Sequence, residues 1–338
     1  MIIKMNQKVG LILPILLIVS LALFFHLKSE KAPKALSYLE AEKAEFDNYL
    51  KDFNKFYSNS EYQSRFQIFR DTIAYIRVMN SKNLSWTLGV NQFTDMTHEE
   101  VSNQLFNDIP RKEMVTLKSP ERLSYPASID WRSLGAVTGV KNQSPCACGW
   151  AFSTTGAVEG AYFIATGRLV SLSEEQLLDC SDYFGNNGCN GGYVTNSLDY
   201  VLQYGLVAET TYPYTGNPSI CNAALINPPA ATITVYNHVT QDSSDALLTA
   251  VAGSPISIDV QADSWINYSG GVLNAPCTST RYNYSALVVG YNTSANPPYY
   301  IVKTSWGTGY GQGGYILVAI TSGPGSSCVQ GQPVQVIA

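Results

Sequence analysis

Seven cysteines, at positions 146, 148, 180, 189, 221, 277 and 328, constrain this chain more than any other feature. None forms a C-x-x-C pair with distal partners of the kind a zinc site uses, so no metal is expected, and nothing calls for a cofactor. An odd set of this size reads as three disulfides and one thiol left over, which belongs to an oxidising compartment.

The N-terminus supplies a route to such a compartment. Lys4 and Lys8 precede an uncharged run from Val9 to Leu27, closed by Lys28. A positive flank before an apolar stretch is the secretory pattern. The run is long for a cleaved signal and about right for a membrane span. Pro14 and His26 weaken a span, and Ser20-Leu21-Ala22 offers a cleavage site. A cleaved signal and a membrane anchor formed by residues 9–27 both fit. Either sends the rest of the chain out of the cytosol, to be secreted, lysosomal or vacuolar, or membrane-anchored. Five N-x-S/T triplets, at Asn83, Asn142, Asn267, Asn283 and Asn292, are candidate glycan sites in a secreted chain.

Charge divides the chain. Residues 1–124 hold 16 Lys/Arg and 14 Asp/Glu, a net of +2, and residues 125–338 hold 5 and 12, a net of −7. An acidic total of −5 argues against a nucleic-acid partner. The pattern changes at the same place. Residues 37–57 and 61–80 carry apolar residues at helical spacing, Phe46, Tyr49 and Phe53 in the first and Phe66, Phe69, Ile73 and Ile76 in the second. Pro110 and Pro120 bracket a polar linker. A helix is expected from Cys148 to a stop at Gly167, and another behind a reciprocal Ser173/Gln176 capping box. Beyond residue 230, short β-branched and aromatic runs such as SPISIDV, YSALVVGY and YYIVKTSW read as strands. Helices first and strands later make an α+β protein.

The motifs become specific at residues 143–153, QSPCACGWAFS. This stretch resembles the nucleophile region of papain-like cysteine proteases. Tyr125 to Arg132 (YPASIDWR), Ser171 to Gln176, Asp179-Cys180, Gly188 to Gly192 (GCNGG), Tyr212-Pro213-Tyr214, residues 283–291 and Ser305 to Gly309 follow in the family's order. Glu61, Arg65, Phe69, Ile76 and Asn80, with Gly89, Asn91, Phe93 and Asp95, resemble the inhibitory propeptide of the cathepsin-type members.

The resemblance implies a papain-like two-domain fold, a helical domain facing a β-barrel-like domain across a cleft. The propeptide would add two helices and an extended strand over that cleft. Domains are expected at 1–27 (signal or anchor), 28–123 (inhibitory propeptide) and 124–338 (peptidase domain). It also implies disulfides Cys146–Cys189, Cys180–Cys221 and Cys277–Cys328, leaving Cys148 as the free thiol. Gly191, Gly192, Trp150 and Trp306 would line the cleft.

The chemistry departs from the family. Such enzymes need a thiolate, a histidine that generates it and an asparagine that orients the histidine. The resemblance places these at Gly149, Tyr284 and Thr304. Glycine cannot attack, and a phenol titrating near 10 is a poor base at neutral pH. Gln143 stands where the family has its oxyanion-hole side chain. The expectation is a proteolytically inactive zymogen-like homologue, a pseudoenzyme whose partners are a peptide or protein ligand in the cleft and its own propeptide. Two alternatives stay open: an endopeptidase using Cys148 as a displaced thiol, and a structural or storage protein.

Overall fold

The computed structural model describes residues 38–111, 125–278 and 281–338. The N-terminal address and the 123/124 domain boundary lie outside them. Among the described residues no helix is long and apolar enough to cross a membrane. The chain divides into two units, Met1–Arg70 and Asp71–Ala338.

The first unit is built from helical residues 38–52 (α1) and the opening turns of α2, Asn59–Asn80. The apolar spacing puts one ring per turn on a common face. Phe46 is fully buried, its ring 5.2 Å from Phe69 and 5.6 Å from Phe66. Arg70 pairs with Glu42 at 2.8 Å, and the Tyr62 hydroxyl donates to Asp47 at 2.6 Å.

The second unit is organised around β8, Tyr284–Asn292, buried along eight of its nine residues. That explains its unbroken apolar run, since a strand covered on both faces has no reason to alternate. β5 (Ile256–Val260) and β9 (Tyr299–Lys303) flank it, both antiparallel. β10 (Tyr315–Ala319) and β6 (Tyr268–Leu273) extend the sheet on one side, and β11 (Val334–Ile337) and β4 (Val235–His238) on the other. β3 (Ser128–Asp130) also pairs with β8.

The helix α4, Gly149–Thr166, lies against β8. Its small residues permit the approach: a Cβ on Gly156 or Gly160 would come within 2.8 Å of Leu287 or 2.6 Å of Pro255. Gly167 closes the helix in the left-handed conformation at φ 73°, the expected stop. α5 (Glu174–Cys180) and α6 (Val194–Tyr204) complete a helical side. One core, with Trp150, Val158, Leu177, Leu198 and Val289, serves that side. Another, with Ile258, Trp265, Tyr284, Val302, Trp306 and Val318, serves the sheet side. The chain is thus α+β, with helices gathered on one side and strands on the other.

Two local expectations are corrected. Ser173 caps α5 by accepting from Gln176 N–H at 3.0 Å, but the Gln176 side chain does not reciprocate. It donates to the Tyr200 hydroxyl and Gly205 carbonyl and accepts from Val207 N–H, tying α5 to the turn after α6. The propeptide-like region holds a third helix, α3 (His98–Leu105), whose Thr97/Glu100 pair does form a full capping box. The region also contributes two short strands. β1 (Trp86–Leu88) pairs with β6, and β2 (Ile109–Pro110) pairs with β7 (Arg281–Tyr282).

Candidate ligand-binding cleft

Gly149 opens α4 and Tyr284 opens β8, so the packing of helix on strand brings the two together. A Cβ built on Gly149 would lie 2.6 Å from Tyr284 Cε2, 2.8 Å from its Cδ2 and 3.1 Å from the Ser285 carbonyl. The phenol ring therefore occupies the space that a side chain at 149 would need. Tyr284 is 2% exposed. Burial pushes its hydroxyl above the ordinary tyrosine range, against the opposing hydrogen bonds from Ser305, so it is neutral at physiological pH.

That hydroxyl anchors a directed chain of hydrogen bonds. It accepts from Ser305 N–H at 2.8 Å and lies 2.8 Å from Ser305 Oγ. Ser305 Oγ donates to Gln143 Oε1 at 2.7 Å, so the Tyr284 proton points to Ser305. The Gln143 amide is then oriented with its NH2 group toward two carbonyls, Cys146 at 3.0 Å and Leu105 at 3.3 Å. Gln143 is fully buried. Its amide is held as a donor to a peptide carbonyl, and the carbonyl it meets belongs to α3. Thr304 turns away: its N–H and its Oγ1 both donate to the Gly314 carbonyl at 3.0 Å.

Cys148 is the N-cap of α4 and is wholly buried in the helical core. Its Sγ lies 3.2 Å from the Tyr214 hydroxyl. That hydroxyl donates to the Gln143 carbonyl at 2.6 Å, so the thiol is the donor in the pair. A helix N-terminus by itself favours the thiolate and lowers a thiol's pKa. Burial instead raises it, outweighing the hydrogen bond to Tyr214.

The expected cleft residues separate into surface and support. Gly191 adopts φ 121°, where a Cβ would sit 3.6 Å from Asn107 of the propeptide-like segment. Gly192 abuts the Trp150 ring, with a Cβ distance of 2.6 Å. Trp150 is fully buried and supports the helical core, so it presents no cleft surface here. Trp306 is 1% exposed, under Phe93 and Phe106. The bonded cysteines are Cys146–Cys189, Cys180–Cys221 and Cys277–Cys328, with Cys148 free. They close loops of 43, 41 and 51 residues, each worth about 4 kcal/mol on the loop-entropy account. Cys146–Cys189 ties the segment before α4 to the glycine loop.

Two histidines fall among the described residues away from Gly149. His238 sits on the edge strand β4, and His98 at the start of α3 bonds Asp263 at 2.9 Å. Asn283 uses its side chain internally, accepting from Ala262 N–H and donating to Asp263, each at 2.8 Å. A glycan on Nδ2 would disturb the bond to Asp263. Among the described residues no cluster of His, Cys, Asp or Glu is placed to hold a metal ion.

Sequence reasoning missed the polar cluster beneath the site. Lys141 Nζ lies 2.7 and 2.8 Å from the two Glu174 oxygens and 3.6 Å from Glu159. Thr155 and Thr138 donate to these carboxylates, and Lys303 donates to Thr138 at 3.0 Å. Glu159 and Glu174 are almost fully buried. Burial raises Glu174 to about 8 despite Lys141, while the carboxylates hold Lys141 charged. Nothing in a one-dimensional pattern pairs these distant residues. The Ser305 link was closer to view, since it adjoins Thr304 and Trp306 in the motif already singled out.

With this geometry in view, the comparisons with known proteins agree. Residues 125–334 match the papain family cysteine protease pattern, and residues 46–101 match the cathepsin propeptide inhibitor domain (I29). The chain belongs to the papain family of cysteine proteases. Within it, the chain is one that carries a cathepsin-type propeptide domain. It is 38% identical over 284 residues to fruit bromelain of Ananas comosus, covering 81% of this chain and 80% of that protein. It is 36% identical over 303 residues to pro-cathepsin H of Mus musculus, covering 86% and 90%. Among solved structures, a recombinant stem bromelain precursor superposes with a TM-score of 0.82 at 34% identity, covering 88% of this chain and 99% of that one. The digestive procathepsin L2 proteinase of the Tenebrio molitor larval midgut gives 0.81 at 33%, covering 88% and 100%.

Proposed function

We propose that this protein is a proteolytically inactive papain-family homologue that holds a peptide main chain in its cleft without cutting it. The observation that carries this reading is the filled space at Gly149: a nucleophile's side chain there would overlap the Tyr284 ring. A papain-type mechanism needs an attacking thiolate and an imidazole beside it, and a glycine and a neutral phenol supply neither. The donor side of the machinery persists in Gln143, which suits binding a carbonyl. In serine-protease chemistry, removing the nucleophile or base while keeping the oxyanion donors costs on the order of a million-fold in turnover. The domain boundary near residue 124, the secretory route and glycan attachment belong to the same reading. The three disulfides support an extracytosolic location.

The test uses the full chain and its triple variant Gly149→Cys, Tyr284→His, Thr304→Asn. Both are incubated at acidic and neutral pH with a broad set of fluorogenic peptides, and new N-termini near Tyr125 are followed. The expected result is an inert natural chain and a variant that cleaves peptides and processes itself. Turnover by the natural chain that disappears on Cys148→Ala would overturn the proposal. Against that outcome stands the burial of Cys148, whose thiol should resist iodoacetamide until the protein is unfolded.

A further inference from the structure

The residue that fills the catalytic space also faces the segment lying over the cleft. That segment, residues 85–111, is integrated with the sheet side at every step. Ser85 accepts from Val272 N–H at 2.7 Å, and β1 pairs in register with β6. Asn91 donates to the Ile266 carbonyl at 2.7 Å and Gln92 to the Trp306 carbonyl at 2.8 Å. Phe93, Val101 and Leu105 are buried in the same core as Tyr284, Trp265 and Trp306. Asn107 N–H donates to the Asn283 carbonyl at 2.8 Å, Asp108 pairs with Arg281, and Arg111 pairs with Asp242 at 2.5 Å.

At the centre lies Phe106, whose ring centroid is 6.5 Å from Tyr284 and 6.2 Å from Trp306, with those two 4.8 Å apart. In a working cysteine protease this floor would carry a thiolate and an imidazolium. Any segment laid over such a pair must strip water from two charges. Here the floor is a neutral phenol tilted against an indole at 42°. Covering it desolvates no charge and adds aromatic contact.

We propose that the ligand of this cleft is the chain's own segment 85–111, seated permanently, and that the Tyr284–Phe106–Trp306 contact is what converts a removable inhibitor into a fixed part of the fold. This rests on the reading of the cleft as inactive, and it adds that the propeptide-like segment is never released and what seats it. The tyrosine at 284 then takes part in both, filling the space beside Gly149 and seating Phe106 of the segment. The working form of the protein is the uncut chain, and its partners meet surfaces other than the cleft floor.

The experiment places a site-specific protease sequence within residues 113–120 of the otherwise complete chain. After cutting, the N-terminal fragment is followed by gel filtration and by its release rate from the immobilised body. The natural residues are compared with Tyr284→His and with Phe106→Ala. The expected result is co-elution of the natural fragment after dilution to nanomolar concentration, with release about tenfold faster in either variant. Phe106→Ala alters only the segment, so it tests the seat even if Tyr284→His disturbs the body. Departure of the natural fragment within minutes from a body that stays folded would overturn the proposal. Equal release from all three proteins would also overturn it, by removing the aromatic seat. Peptide turnover is measured in the same cut sample. Its appearance would count against the inactive reading, whereas loss of the fragment without turnover counts only against permanent seating.

Discussion

Two corners of one cleft have met different fates. Around Gln143, the amide is buried, hydrogen-bonded through Ser305, and still aimed at a peptide carbonyl. Around Gly149, the space is packed by a tyrosine ring, and Thr304 bonds to the Gly314 backbone instead. Both corners are equally dry, so burial does not separate them. What separates them is the job each residue type can do. A carbonyl receptor needs only oriented donors, which any stable fold can hold. An attacking pair needs room, a titratable partner and charge, all of which cost stability when buried. On the proposed inactive reading, binding geometry and reaction geometry in this fold can be lost separately.

Three measurements would break or sharpen that contrast. The largest effect concerns the support beneath both corners. Folded Glu174 holds its proton up to about pH 8, while the unfolded chain releases it near 4.5. Stability from this group is therefore full below about pH 4.5 and slopes downward as pH rises toward about 8. Urea unfolding at pH 5, 6.5 and 8 should show this slope, and Glu174→Gln should flatten it. An unchanged slope would mean that the proton sits elsewhere in the cluster. Next in size, Gly149→Cys alone should destabilise the chain by about 1–3 kcal/mol through overlap with Tyr284, and should gain no peptidase activity. A neutral effect in thermal unfolding would show that the ring gives way easily, and the filled corner would lose its meaning. The smallest effect is expected for Tyr284→Phe. The ring stays, but the buried Ser305 N–H loses its acceptor, at about 1–2 kcal/mol. Because the Gln143 amide is oriented through Ser305, segment release should also quicken slightly. A silent substitution would confine Tyr284 to filling space.

Much of this architecture was legible from residue order. The run YSALVVGY announced a strand, and Gly167 stopped α4 where expected. The three motif-equivalent positions, Gly149, Tyr284 and Thr304, could be named because motif residues on either side fix them by counting. Other features depend on contacts between distant segments. α3 carries polar residues at most positions, with only Val101 and Leu105 buried, so its period is weak. Gln176 has the chemistry of a capping-box partner, but the Val207 and Gly205 backbone competes for its amide and wins. Cys148 stands at a helix start, a place that favours a thiolate, yet the core that closes around it raises its pKa.

The reciprocity between Gly149 and Tyr284 also bears on history. For a lineage that once cut peptides, the glycine had to be in place for the tyrosine to fit, and the tyrosine now bars any larger residue from position 149. A return of cysteine meets a steric block, and a return of histidine meets an empty place where its partner stood. On the proposed inactive reading, neither single step would restore activity, which leaves selection nothing to act on between them. On that reading the pair would work as a ratchet: with both residues in place, descendants would diversify around a sealed floor, and any new role would be found on the outside of the molecule.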